Sequence, residues 1–156
     1  MKIHQPIPET AGRVVTPDGT AEVMPYQVVV MVSIAAKRVI ELPADASRFP
    51  AILDTGNNHN FAIRRQQFDR WTGLTLPKRG LVNVGGSTIP LYAANVWIHP
   101  EQGNAFRLRM EEGIVVYPSD LPNPARLPIL GLRGLVRNGL RLVIDGKTKE
   151  VTVSTS

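Results

Sequence analysis

Asp54, Thr55 and Gly56 close an apolar run, Ala51, Ile52 and Leu53, and open a polar one at Asn57 and Asn58. An acid at the end of a buried strand, followed by a hydroxyl and a glycine, is a rigidly placed proton carrier; the same composition also makes an ordinary turn. Amide hydrolysis by carboxylates needs two of them sharing one proton. One takes a proton from water while the other gives its proton to the carbonyl oxygen. This chain has a single apolar-apolar-Asp-Thr-Gly, since Val143 to Lys147, VIDGK, lacks the threonine and reads as a turn. Were Asp54 one of such a pair, its partner carboxylate would have to come from a second copy of the chain, across a two-fold axis.

Other chemistries find little footing. There is no cysteine, so disulfides and thiolate metal sites are excluded, and His4, His59 and His99 lack the spacing of metal ligands. No metal and no cofactor is expected. The serine-nucleophile pattern G-x-S-x-G and the phosphate loop G-x-x-x-x-G-K are both absent. A net charge of +5 raises the question of nucleic acid, and Arg133, Arg137 and Arg141 at helical spacing are its best support. The other arginines are dispersed, however, and 2 Trp, 3 Tyr and 4 Phe make no stacking platform, so a basic β-barrel that binds nucleic acid is disfavoured.

The elements that must position Asp54 are short. A chain of 156 residues makes one domain, and 13 Pro with 13 Gly favour strands and turns over long helices. Residues 1–22 read as an N-terminal arm or an early hairpin turning at Pro17 to Gly19, and residues 23–156 as the domain proper. Tyr26 to Ile34 is a β-branched buried strand, Val39 to Leu42 a second, and Ala51 to Asp54 a third. Phe68, Trp71 and the stop at Gly73 predict a short helix. Arg79 to Pro100 reads as a hairpin turning at Gly85 and Gly86, and Phe106 to Pro118 as one or two strands. A Pro-rich loop, Pro118 to Pro128, leads to a strand ending at Gly131, a second short helix, and a closing hairpin at Asp145 and Gly146. MKIHQPIPET has no secretory core, and the longest apolar run, Val28 to Ala36, is too short for a bilayer. A soluble cytoplasmic protein without membrane insertion is expected.

The order of parts over Pro25 to Val153 resembles the retropepsin-like, single-domain aspartic proteases: Ile52 to Gly56, then a glycine-tipped hairpin, then Ile129, Leu130 and Gly131 with a helix behind. The resemblance implies an all-β fold, a closed or partly open β-barrel with one or two short helices and a flap hairpin. It implies a homodimeric endopeptidase with Asp54, Thr55 and Gly56 as the catalytic triplet and Thr55 locking two such turns across the dimer. An extended peptide or protein substrate would lie like an added strand beneath the flap. Asn57, Asn58, Val84, Gly85, Gly86 and Ile129 would line its path, with Ile89 shaping a pocket and the flap glycines offering backbone N–H groups. Apolar side chains beside the cleaved bond are expected, in an acid-to-neutral pH window.

The chain departs from that family in three places. Asn57 stands where Ala or Ser is usual: either its amide donates to the outer oxygen of Asp54 and favours the ionised form, or its bulk spoils the pocket. Asn58 and Leu132 stand where retroviral members carry an Asp and an Arg that pair, so both charges are lost together. Beyond Gly139 to Ile144 the chain continues, and its end is expected to fold back as a hairpin. A fold that binds peptides or dimerises without cleaving is the alternative reading. His59, in a loop, is expected to be solvated.

Overall fold

The computed structural model describes residues 1–118 and 127–155, and the sequence-predicted loop at Pro118 to Pro128 lies mostly outside them. Nearly half of the described residues are in strands. The chain begins with β1 (Lys2–Pro6), a hairpin of β2 (Gly12–Thr16) and β3 (Gly19–Val23), and the long β4 (Val28–Ala35). β5 (Phe49–Asp54) and β6 (Phe61–Arg64) lead to helix α1 (Arg65–Thr72). β7 (Lys78–Val84) and β8 (Ser87–Tyr92) form a second hairpin, followed by β9 (Asn95–His99), β10 (Phe106–Leu108) and β11 (Ile114–Tyr117). β12 (Ile129–Gly131), helix α2 (Leu132–Arg137), β13 (Arg141–Asp145) and β14 (Glu150–Ser154) complete it.

Nine strands form one sheet in the order β10-β9-β4-β5-β12-β6-β11-β8-β7, and β1-β14-β13 form a second of three. β12 slots between β5, to which it runs parallel, and β6, to which it runs antiparallel. Such an inserted strand meets backbone partners on both sides, so its short apolar sequence is enough to fix it. The core lies between the sheets: Val30, Val32 and Ile34 of β4, Phe49 and Ala51 of β5, and Val96 and Ile98 of β9 meet Ile3, Val151 and Val153 of the smaller sheet. α1 adds Phe68 and Trp71, with Gly73 closing the helix at φ 63° and the indole donating to Asp18 on the β2–β3 turn at 2.8 Å. That bond is the chief reason the Asp18 carboxyl titrates below its ordinary value.

Three expectations need correction. Of the closed or partly open barrel, the closed form is overturned: among the described residues β10 pairs only with β9 and β7 only with β8, which leaves the large sheet two free edges. Three-residue β10 ends too soon to reach a partner, and β7 belongs to a two-stranded ribbon. Val39 to Leu42 is no strand either; it lies in the loop between β4 and β5, with Ile40 74% exposed. Its carbonyls go to other partners, such as Arg107, which donates to Val39 O at 3.4 Å. The region Arg79 to Pro100 is also more than a hairpin, because Ala93 turns away to Pro77 and β9 crosses to pair with β4. Among the described residues no helix is long and apolar enough to cross a membrane.

Candidate functional site

Asp54 is the last residue of β5 and is half-buried, while Thr55, Gly56 and Asn58 are exposed. β4 holds one side of this strand, with Val28 opposite Leu53, and β12 the other, with Gly131 beside Asp54. The carboxylate then folds its own turn: Asp54 Oδ1 accepts from Gly56 N at 2.9 Å, and Asp54 O accepts from Asn57 N at 3.3 Å. Gly56 does not adopt positive φ, so backbone freedom is not its reason. A Cβ there would sit 3.2 Å from Asp54 Oδ1, and glycine is what lets the chain pass so close to the acid.

The residues after Gly56 wrap over the β12–α2 junction. Asn57 O accepts from Leu132 N at 2.9 Å and Asn60 O accepts from Gly131 N at 3.1 Å. A Cβ on Gly131 would stand 2.0 Å from His59 O, and one on Gly134 would stand 2.8 Å from Asn60 O. The Gly131-x-x-Gly134 spacing, legible in the sequence, is thus a seat for the loop behind Asp54. Asn57 does not serve Asp54 as expected. Its Oδ1 accepts from His59 N at 2.9 Å, which braces the loop instead.

His59 is half-buried rather than fully solvated, and its pKa falls below the usual value because of burial and then the nearby Arg133 cation, against a smaller opposite pull from Glu112. Arg133 pairs with Glu112, and Arg137 reaches Glu112 at 3.1 Å and Glu111 at 3.5 Å. Two of the three arginines that suggested a basic helical face are therefore neutralised, and Arg141 lies apart on β13. Sequence reading missed these pairs, since nothing local links Glu111 and Glu112 to a helix about twenty residues later.

The strand registers put the sequence-predicted residues on one face. Ile52 pairs with Ile129, Ile129 with Ala62, Ala62 with Val115 and Val115 with Leu91. Directly opposed residues share a face, and so do residues two apart along a strand, so Asp54 joins Ile52, and Ile89 joins Leu91 with its partner Val82. Ala62, Ile89 and Val115 form a second apolar cluster, with Val82, Val84, Leu91 and Tyr117 packed against it. Asp54, Ile129, Ile89 and Val84 thus share the face of the sheet opposite Ala51, Phe61 and Ile114; at its β5 end Ile52 of this face packs against the main core, while Ile89 and Val84 belong to the second cluster.

The β7–β8 tip turns through Gly85 at φ 58° and Gly86 at φ 84°, the positive values of a tight hairpin turn. Of the two glycine N–H groups, that of Gly86 is already engaged by Asn83 Oδ1 at 3.1 Å. Thr55 and Asn58 make no hydrogen bond to any described residue. A cavity of about 540 Å³ between the β4–β5 loop and β9, lined by Leu42, Arg48, Trp97 and His99, does not include Asp54. Among the described residues no group of His, Asp or Glu could hold a metal ion. Comparison with protein-family models gave no match, and no curated protein matches the chain.

Proposed function

We propose that this chain is a retropepsin-like aspartic endopeptidase that works as a homodimer, with Asp54 of each copy facing the other across the two-fold axis. The observation that carries the reading is the shared face: a strand-end acid braced by β4 and β12, aligned with Ile129, Ile89 and Val84 and continuous with a glycine-tipped hairpin. An extended peptide laid along this face would meet apolar side chains on both sides of the acid. Thr55, exposed and without a hydrogen bond to any described residue, is free to meet its mate.

In the reaction one carboxylate takes a proton from water as its oxygen attacks the peptide carbon. The other, protonated, gives its proton to the carbonyl oxygen, and the tetrahedral diol that results collapses with cleavage of the C–N bond and proton transfer to nitrogen. Closure of the β7–β8 hairpin would exclude bulk water during these steps.

The test is cleavage of a mixed peptide library by the wild type and by Asp54→Asn at several pH values, with the oligomeric state of both followed by sedimentation. Loss of at least a thousandfold in rate by a variant that still dimerises is expected, because one half of an acid–base pair is gone. Equal activity in both would sink the mechanism, and a silent wild type that still binds peptides would point to the non-cleaving alternative.

A further inference from the structure

Two large apolar side chains that flank the Asp54 turn are exposed. Tyr26 is 70% exposed and Leu132 41%, with Val136 one helical turn further along α2 at 65%. Tyr26 and Leu132 stand just beyond strand ends that flank the acid. The pairing of β4 with β5 ends at Val28 opposite Leu53, and Tyr26 lies two residues before it, in a turn. β12 ends with Gly131 beside Asp54, and Leu132, the next residue, opens α2 with its N–H donating to Asn57 O at 2.9 Å. Tyr26 on the β4 side and Leu132 on the β12 side thus flank the Asp54–Thr55 turn, a row in the order Tyr26, Thr55, Leu132.

Tyr26 also sits at φ 65°, in the left-handed region that an aromatic residue enters at a cost. The turn is deliberately tied: Tyr26 N donates to Pro8 O at 2.7 Å, Gln27 N to Met24 O at 3.2 Å, and Met24 N to Gln27 Oε1 at 2.8 Å. Within the protomer this strained conformation covers no core. On the opposite flank the charge nearest Leu132, on Arg133, is drawn away to Glu112, which leaves an apolar surface beside the acid.

We infer that Tyr26 packs on the partner's Leu132, twice per dimer, as an apolar clamp on either side of the paired Asp54–Thr55 turns. This inference rests on the two-carboxylate reading and names the contact that assembles it. A two-fold axis that brings the turns face to face reverses the row in the second copy. Tyr26 is therefore opposed not by its own mate but by the partner's Leu132, with Thr55 meeting Thr55 at the centre. A buried aromatic on a branched aliphatic is the kind of contact that dominates small interfaces, and Val136 extends it outward. The occupant is a second copy because the site is chemically incomplete with one carboxylate.

Opposed residues of different kinds give a decisive experiment. Tyr26→Lys and Leu132→Glu each place two unfavourable contacts in the homodimer, and both positions are exposed, so each variant is expected to fold with an unchanged circular dichroism spectrum. Dimer dissociation constants from sedimentation equilibrium should rise about a hundredfold for each variant, and peptide cleavage should fall with the dimer population. Mixing the two variants creates a heterodimer with one ammonium–carboxylate pair and one intact tyrosine–leucine pair, so association and cleavage should return. Milder variants, Tyr26→Ala and Leu132→Ala, should weaken association by about tenfold and guard against misfolding. If wild type dimerises with Asp54-dependent cleavage but the single variants dimerise equally well, or their mixture stays monomeric, the clamp is wrong and the protease reading stands. A wild type that is monomeric at every concentration overturns both.

Discussion

The junction behind Asp54 and the tip of the β7–β8 hairpin are both built on paired glycines, for opposite reasons. Gly131 and Gly134 have ordinary negative-side backbones, and a Cβ at either would meet carbonyl oxygens of the His59 and Asn60 loop at 2.0 Å and 2.8 Å. Gly85 and Gly86 have open space around them but positive φ. The first pair is glycine because there is no room, the second because of the backbone angle. Close packing makes a rigid base for the acid; an angle without packing makes a ribbon whose tip has little to hold it. This division suits a reaction in which the carboxylates must be held and the cover must move.

The largest effect that would sharpen the contrast is Gly131→Ala. The added methyl can be accommodated only by displacing the backbone of the loop after Gly56, breaking the bonds from Gly131 N to Asn60 O and from Leu132 N to Asn57 O. We expect a loss of about 4 kcal/mol or more, at the severe end of single substitutions, measured by chemical denaturation. A loss below about 1 kcal/mol would mean that the junction is soft and the comparison fails.

How much of this was legible in the sequence follows the same line. Asp54 to Gly56, the strand before them and the Gly85–Gly86 turn could be read because strand periodicity and turn residues are local signals. Gly131 could be found as the end of an apolar run, but its reason could not, since the contact with His59 O spans seventy residues of chain. Val39 to Leu42 misled because β-branched composition marks strand preference without supplying a pairing partner. Asn57 is adjacent to Asp54 in sequence, but its side chain turns along the loop, where its Oδ1 accepts from His59 N. β1 was hidden for a different reason: in KIHQP a single apolar residue, Ile3, reaches the core, and only its pairing to β14 reveals the strand. The insertion of β12 between β5 and β6 is a non-local event with no sequence period of its own.

The core of the large sheet, away from Asp54, should also be sensitive to acid in a way the hairpin is not. His99 of β9 is buried, its Nε2 lies 2.8 Å from Ser33 Oγ, and that hydroxyl in turn donates to Ser47 O at 2.7 Å. The serine proton is spent on the carbonyl, so the imidazole is the donor in this pair and carries its hydrogen on Nε2. Burial, reinforced by Arg48, depresses the pKa of His99 to about 4. Between the usual value of 6.5 and about 4 the unfolded chain binds a proton that the native one refuses, so the stability present above pH 6.5 is lost as pH falls through that window. His99→Gln should flatten the stability profile from pH 6.5 to 4 in denaturant titrations, whatever it costs at pH 7. An unchanged slope would show that this histidine does not set the acid limit of the fold.

The smallest expected effect is Gly86→Ala at the hairpin tip. A Cβ there meets nothing within 4 Å, so the penalty is the left-handed backbone alone, about 1 to 2 kcal/mol. Because the tip is exposed and remote from the main core, that cost should fall on local opening rather than on global unfolding. The midpoint of thermal denaturation should move by no more than a few degrees, while amide exchange at Val84 to Ser87 accelerates. If the hairpin closes over peptide, turnover should fall severalfold through a weaker closed state, with dimer affinity unchanged. Such a result would separate cover from base within one molecule, because Gly131→Ala should lower stability and activity together. A fall in global stability as large as that of Gly131→Ala would instead make the hairpin part of the base and erase the distinction between the two glycine pairs.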